Sequence, residues 1–377
     1  MPHAQTVGFP RMHKEAGEKR DFLPELVRAV AGESECAGVV LERGYGEGIG
    51  LAESDYSAQA PNLRFADHEE TLEQDVVVVI RCPDDAALQR MRPGALLVSM
   101  LHYPTRPERT QRIADLGLRA VSLDGIVDDI GRRLIENLES VGWNGVRAAF
   151  EELERTHTDF DDAARRPLRV TVLGSGHVAS HAIRAATRYG DARVRDQLAA
   201  TGVPGVEVTV VDYDLTGHED YMLDRLTRTD LLIDATQRPD PSRPVVPNRW
   251  LAALPDDAVV LDLSVDPYDM AQDPPLIKGI EGIPHGDLDR WVFPPDDPAF
   301  DALDERIDTT NRRRTLSCYA WPGLSPDQCM DHYGEQIEPV LRFILHRPPE
   351  QWREDGASFW ERAVAGAELL RWKARNG

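Results

Sequence analysis

Residues Leu168–Ala182 read LRVTVLGSGHVASHA, and this stretch decides the fold class. An apolar, β-branched run (Val170, Val172, Leu173) meets a glycine turn, and a helix-compatible segment follows without a break. That is the pattern of a first βα turn in a dinucleotide-binding unit: Gly174 allows the sharp turn, Gly176 lets backbone approach a pyrophosphate, and Ala179 keeps helix and strand close. The helix start, with Ser175, His177 and Val178, then offers unpaired N–H groups and the positive end of a dipole to phosphates.

A lone G-x-G-x-x-A pattern is permissive, so the next strand has to support it. Val206–Asp214 reads VEVTVVDYD and ends its apolar run at Asp212. A carboxylate there can accept the ribose hydroxyls of an adenosine and would repel a 2′-phosphate, which favours NAD over NADP. The separation exceeds the usual ~20 residues, and 191–205 accounts for the excess as an added helical turn and loop.

Working outward, strand-like runs at 7–9, 38–41, 76–80, 95–99 and 118–123 alternate with helix-compatible segments ahead of the glycine turn. After it come runs at 230–235, 258–264 and 315–320, and a closing helix at 336–345. Strands alternating with helices imply mostly parallel sheets. The expected fold is α/β: two doubly wound, Rossmann-like domains with an inter-domain cleft, the second binding the dinucleotide. A helix from about Gly131, capped by Asp128–Asp129 and bent at Asn144–Gly145, would connect them. The expected division is 1–135 plus 308–377 for the substrate domain and 136–307 for the NAD domain.

Composition narrows the function classes. Sixty-five acidic residues oppose 43 basic ones, a formal charge of −22. A surface of that sign disfavours nucleic acid and anionic membrane as partners. High Asp with only four lysines (Lys14, Lys19, Lys278, Lys373) suits a high-salt interior, where ions screen the self-repulsion. Full stability and activity in dilute buffer would dismiss that habitat. The longest apolar run, near Val76–Ile80, is too short to span a bilayer, and no export signal is evident, so a cytoplasmic protein is expected. The four cysteines lack metal-ligand spacing, and no metal is expected.

Taken in order, the motifs resemble the superfamily of alanine dehydrogenase and the transhydrogenase nucleotide subunit, with features of lysine-forming saccharopine dehydrogenase. They are Pro10, Lys14, Glu18 and Arg20; the GYGEGIG loop Gly44–Gly50 with Ser54–Asp55–Tyr56; Leu101–His102; Gly174–Ala179; Asp212; Asp262 and Asp266; and Trp321–Pro322–Gly323. The segment Asp128–Arg133 (DDIGRR) leans to the saccharopine branch, where an arginine contacts the nucleotide.

The resemblance implies hydride transfer between NAD and the Cα of an amino acid, giving a 2-oxo acid. In it His102 is the acid/base, Asp266 orients water or the ammonium group, and Arg20, Arg81 and Trp321 face the substrate. Arg132 and Arg133 could reach the cofactor. Arg81 departs from the family, which carries a lysine there; an arginine can hold an oxygen but cannot relay a proton near neutrality. Alanine/pyruvate is the leading substrate pair, in a homo-oligomer. A saccharopine- or opine-type enzyme joining lysine to 2-oxoglutarate, and a catalytically impaired NAD-binding regulator, are the alternatives.

Overall fold

The structure, a computed structural model, describes residues 4–58, 60–238 and 240–376. They fall into two compact units, Met1–Asn137 with Ser325–Gly377, and Leu138–Leu324.

The first unit is built on six strands, β1 (Gln5–Phe9), β2 (Cys36–Glu42), β3 (Leu63–Ala66), β4 (Val76–Arg81), β5 (Leu96–Met100) and β6 (Arg119–Ser122). All pair in parallel, in the order β3-β2-β1-β4-β5-β6. β4 reads VVVVIR and is buried along its valines and isoleucine, as a central strand covered on both faces requires. The helix Pro24–Ala31 opens with proline at its first position and buries Leu26, Val27 and Val30. The helix Pro326–His346 packs against it, burying Cys329, Met330, Tyr333, Ile337, Val340, Leu341 and Ile344. Sequence periodicity marks only the later half of that helix. Its first turns bury cysteine, methionine and tyrosine rather than an aliphatic stripe.

The second unit carries β7 (Leu168–Leu173), β8 (Val206–Val211), β9 (Leu231–Asp234), β10 (Val259–Asp262), β11 (Val292–Phe293) and β12 (Arg314–Ser317). Their order is β11-β12-β10-β9-β7-β8, parallel except for the β11–β12 pair. The helix Ala192–Ala200 occupies the long interval before β8. The chain returns to the first unit at Ser325, later than residue 308, because β12 pairs with β10 in register (Leu261 with Leu316).

The long helix is also relocated. It spans Leu138–Thr156, while Gly131 sits at φ +82° in a turn closed by Asp128. Asn144–Gly145 does not break it. Asn144 Nδ2 donates to the Trp321 carbonyl at 3.0 Å, and a Cβ on Gly145 would lie 2.4 Å from Leu263, so this pair serves close packing. The short β3 and β11 and the helices Phe359–Ala367 and Leu369–Asn376 escaped the sequence reading. All four cysteines are buried free thiols. No helix among the described residues is long and apolar enough to cross a membrane.

Candidate functional site

Where strand order reverses in a parallel sheet, the connecting loops diverge and leave a crevice outside the carboxyl ends. In the first unit the reversal lies between β1 and β4. A cavity of about 190 Å³ opens there, lined by Arg11, Met12, His13, Glu18, Arg20 and Asp21. A smaller hollow shares Arg11–His13 and adds Lys14, Glu15 and Arg81. Asp21 accepts the Gly46 N–H at 2.9 Å, and burial pushes its carboxyl up to about 6.

Arg20 is 6% exposed and its guanidinium is already engaged. Nε donates to Glu18 Oε1 at 2.8 Å and Nη2 to Glu18 Oε2. Burial alone would raise the Glu18 carboxyl, but the Arg20 guanidinium reverses this and holds it below its ordinary value. Glu18 correspondingly overcomes the burial penalty on Arg20 and raises it further. The expected fork to a substrate carboxylate is therefore corrected: that edge of Arg20 belongs to Glu18. A buried guanidinium without a counter-charge would be costly, and the Glu-x-Arg spacing supplies one locally.

Arg81 stands at the end of β4, just past a register shift against β5. It is half-buried, and Nη2 reaches Glu15 Oε1 at 3.2 Å. Lys14 lines the same hollow. Its place beside Arg81 was not evident from sequence, because β2 and β3 lie between Lys14 and the strand that carries Arg81.

His102 follows β5 with φ +53°, a left-handed conformation that costs a non-glycine residue of order 1–3 kcal/mol. Asp124 holds it there. One carboxylate oxygen accepts the Leu101 and His102 amides at 2.9 and 3.0 Å and the Ser122 hydroxyl at 2.7 Å; the other lies 3.3 Å from His102 Nδ1. Burial would raise the Asp124 carboxyl, yet the His102 imidazole, with the hydroxyl and amides, outweighs it and keeps the group well below the usual carboxylate range. The imidazole side chain is 47% exposed, so this geometry orients it through Nδ1. Asp124 went unnoticed in the sequence; an acidic residue just past β6 was the available signal.

In the second unit the order reverses between β7 and β9. Gly174, at φ +94°, turns the chain there, and a Cβ on it would meet the Ala235 carbonyl at 2.8 Å. Gly176, at the N-cap of the helix His177–Ala186, has no atom within 4 Å of a Cβ position. Ser175–His177 are exposed, Val178 is half-buried and Ala179 fully buried under the helix. Bare, open backbone at a helix start fits a pyrophosphate. Asp212 lies just past β8, half-buried, with Oδ1 accepting the Tyr213 amide at 2.9 Å. These residues have the form needed to hold a dinucleotide.

The remaining expectations divide. Asp266 is 40% exposed and pairs with Arg238 Nη2 at 2.7 Å. Asp262, by contrast, is buried and bound to Lys278 Nζ at 2.6 Å and Ser317 Oγ at 2.9 Å. Asp234 lies buried nearby, and burial, reinforced by Asp262, pushes it up to about 6. This buried network was missed because Asp234, Asp262, Lys278 and Ser317 come from four separate segments. Trp321 is corrected from substrate contact to core: it is 1% exposed, donates Nε1–H to the Asp262 carbonyl at 2.7 Å and belongs to the second unit. Arg132 and Arg133 are exposed in the first unit, outside the glycine-turn unit, and Arg132 Nε is tied to Asp128 at 2.8 Å.

Residues 13–140 match a family model described as alanine dehydrogenase/PNT, N-terminal domain. An alanine dehydrogenase of Halomonas elongata is 23% identical over 242 residues, covering 60% of this chain and 64% of that protein. One of Bacillus subtilis is 22% identical over 254 residues, covering 60% and 62%. The alignments thus span less than two thirds of the curated relatives' length. Among solved structures, an L-alanine dehydrogenase superposes with a TM-score of 0.68 at 18% identity, covering 96% of this chain and 94% of that one. A transhydrogenase from Sinorhizobium meliloti gives 0.60 at 17% identity, covering 90% and 94%. The superfamily resemblance carried by the motifs is borne out, and the fold likeness extends over nearly the whole chain.

Proposed function

We propose that this protein is an NAD-dependent amino-acid dehydrogenase that interconverts an L-amino acid and its 2-oxo acid, with alanine and pyruvate as the leading pair. The observation that carries the reading is the His102–Asp124 pair at the carboxyl end of the first sheet. Its support is the superfamily likeness and the open glycine turn of the second unit.

The nicotinamide, when bound, supplies or accepts a hydride at the amino-acid Cα. Gly174–Ala179 present backbone N–H groups to its pyrophosphate, and Asp212 accepts from the adenosine ribose. His102 moves protons at the carbonyl oxygen and attacking water. Asp124 keeps its tautomer and orientation, in the manner of a carboxylate behind a catalytic imidazole. Arg81 and Lys14 are the cations offered to the substrate carboxylate in place of Arg20. Asp266 orients water or the ammonium group. The proposal includes a cytoplasmic homo-oligomer.

A second reading is a saccharopine- or opine-type dehydrogenase. One observation favours it: the hollow beside Arg81 carries three cations, Arg11, Lys14 and Arg81, against two carboxylates, Glu15 and Asp84, a mixed charge of the kind that an amino-acid co-substrate with both signs can meet. Two assays separate these readings: NADH oxidation at high salt with ammonium plus pyruvate, then with lysine plus 2-oxoglutarate. Turnover only with the second pair selects the second reading. NADH binding without oxidation for either pair overturns both in favour of a regulatory protein.

A further inference from the structure

Three residues at this edge have no part in the proposed reaction. His13 lies on the loop after β1, Glu42 ends β2, and His68 begins the helix His68–Leu72. β1 and β2 run parallel with Phe9 beside Leu41, so their carboxyl ends bring these segments together. Glu42 Oε1 lies 2.5 Å from His13 Nε2, and Oε2 lies 2.7 Å from His68 Nδ1. The imidazoles do not stack: their centroids are 4.7 Å apart at 83°, with a nitrogen of each turned to the carboxylate. Among the described residues this is the one group of three such donors whose ligand atoms all lie within 4.8 Å of one another.

We propose that His13, Glu42 and His68 bind a divalent transition-metal ion of the zinc class, leaving a coordination position open to the adjoining cavity. The donor set selects the ion: two imidazoles with one carboxylate suit zinc, nickel or cobalt, whereas calcium and magnesium require mostly oxygen. Three protein ligands with a vacant position is the arrangement of reactive rather than closed structural zinc sites. The carboxylate is preset, because Glu42 is 6% exposed and its Oε2 also accepts the Arg11 amide at 2.7 Å, an outer-shell contact of the kind that orients metal ligands. Bonds of ~2.1 Å in a tetrahedron separate donors by about 3.4 Å. The N···O pairs must therefore part by under an ångström, which the exposed His13 side chain can accommodate. His13 lines both hollows and His68 the smaller one, so the open position faces the space where Arg81 and Lys14 also point.

The competing account is two histidine–carboxylate ion pairs sharing protons, with no metal. The test uses the full chain, stripped with a chelator, exchanged into metal-free high-salt buffer and titrated with Co²⁺ alone. Expected is saturable visible absorption at one equivalent per chain, displaced by Zn²⁺. His13→Ala and His68→Ala should each weaken binding by at least the 10- to 100-fold typical of losing even an outer-shell partner, while His218→Ala in the second unit leaves it unchanged. His13→Ala, at an exposed position, keeps the test valid where Glu42→Gln fails to fold. No saturable absorption, or binding by the two ligand variants as tight as the parent's, overturns the site. Neither nucleotide nor amino acid enters the titration, so its result is independent of the proposed reaction.

Discussion

The carboxyl edges of the two sheets solve different recognition problems at the same topological position. Outside β1 and β4 the surface is made of side chains: Arg11, His13, Glu18, Arg20 and Asp21 line a cavity, and several arrive already paired. Outside β7 and β9 it is made of backbone: Gly174 is pressed against the Ala235 carbonyl and Gly176 has nothing over it. A side-chain edge selects a small ligand by placing charges. A backbone edge cradles phosphate by removing bulk, and one substitution would be felt on the scale of a single methyl group. The second edge does hold charges, but they are buried: Lys278 is bound to Asp262, and Asp234 is held by Thr236 and by the Ser264 hydroxyl that also reaches Asp262.

The sharpest way to break this contrast is at His102. His102→Ala should lower turnover by on the order of 10²- to 10⁴-fold, the usual range for losing a general acid/base. NADH affinity, read by fluorescence, should be unchanged because the backbone edge is intact. Unchanged turnover would remove the His102–Asp124 pair from the mechanism.

Next in size is Lys278→Met, which strands a buried Asp262 carboxylate. Removing one partner of a buried pair costs about 3–5 kcal/mol. Thermal unfolding should show the loss, and an unshifted melting temperature would show that the network contributes little.

The same network sharpens the comparison through pH. Asp234 has a folded-state pKa of about 6 against an ordinary 3.8. Between those values the folded chain holds a proton that the unfolded chain has lost, so this group costs stability as pH rises, up to about 1.4 kcal/mol per unit. Asp124 acts in the opposite sense: with its pKa lowered, its contribution is present above the ordinary carboxylate value and lost as pH falls through its folded value. Asp234→Asn should therefore raise the melting temperature above pH 6 relative to the parent and leave it little changed near pH 4. A constant difference across that range would contradict the assignment.

Smallest is Gly174→Ala. A left-handed φ costs an alanine roughly 1–2 kcal/mol, and the Ala235 carbonyl must also move. NADH binding should weaken about tenfold or more, while Co²⁺ binding at the first edge stays as in the parent. Equal losses at both sites would mean that the chain as a whole had been destabilised.

Five of the six strands in each sheet, the glycine turn after β7 and the place of His102 after β5 were legible because each rests on local pattern. A β-branched run marks a strand, a glycine pair marks a turn, and Leu101–His102 follows a strand directly. Edge strands were harder. β3 has only four residues, of which Ala66 alone is buried, and gives little apolar signal. The substrate assignments fared less well for another reason: a charge in a sequence has no visible partner. Arg20 looked available until Glu18 was found across its guanidinium, and Trp321 looked like a cleft residue until its indole was found donating to the Asp262 carbonyl.

By itself the amino-acid sequence determined the α/β class, the alternation that makes both sheets mostly parallel, and the bare backbone at Gly174–Gly176. These depend on period and on side-chain size at neighbouring positions. Tertiary structure alone decided which charges are spent on each other and which face a cavity. Asp124 reached His102, Lys278 reached Asp262, and Glu42 gathered His13 and His68 because parallel strands distant in sequence end side by side. Electrostatic pairing acts through distance in space, and that distance is set by the strand order.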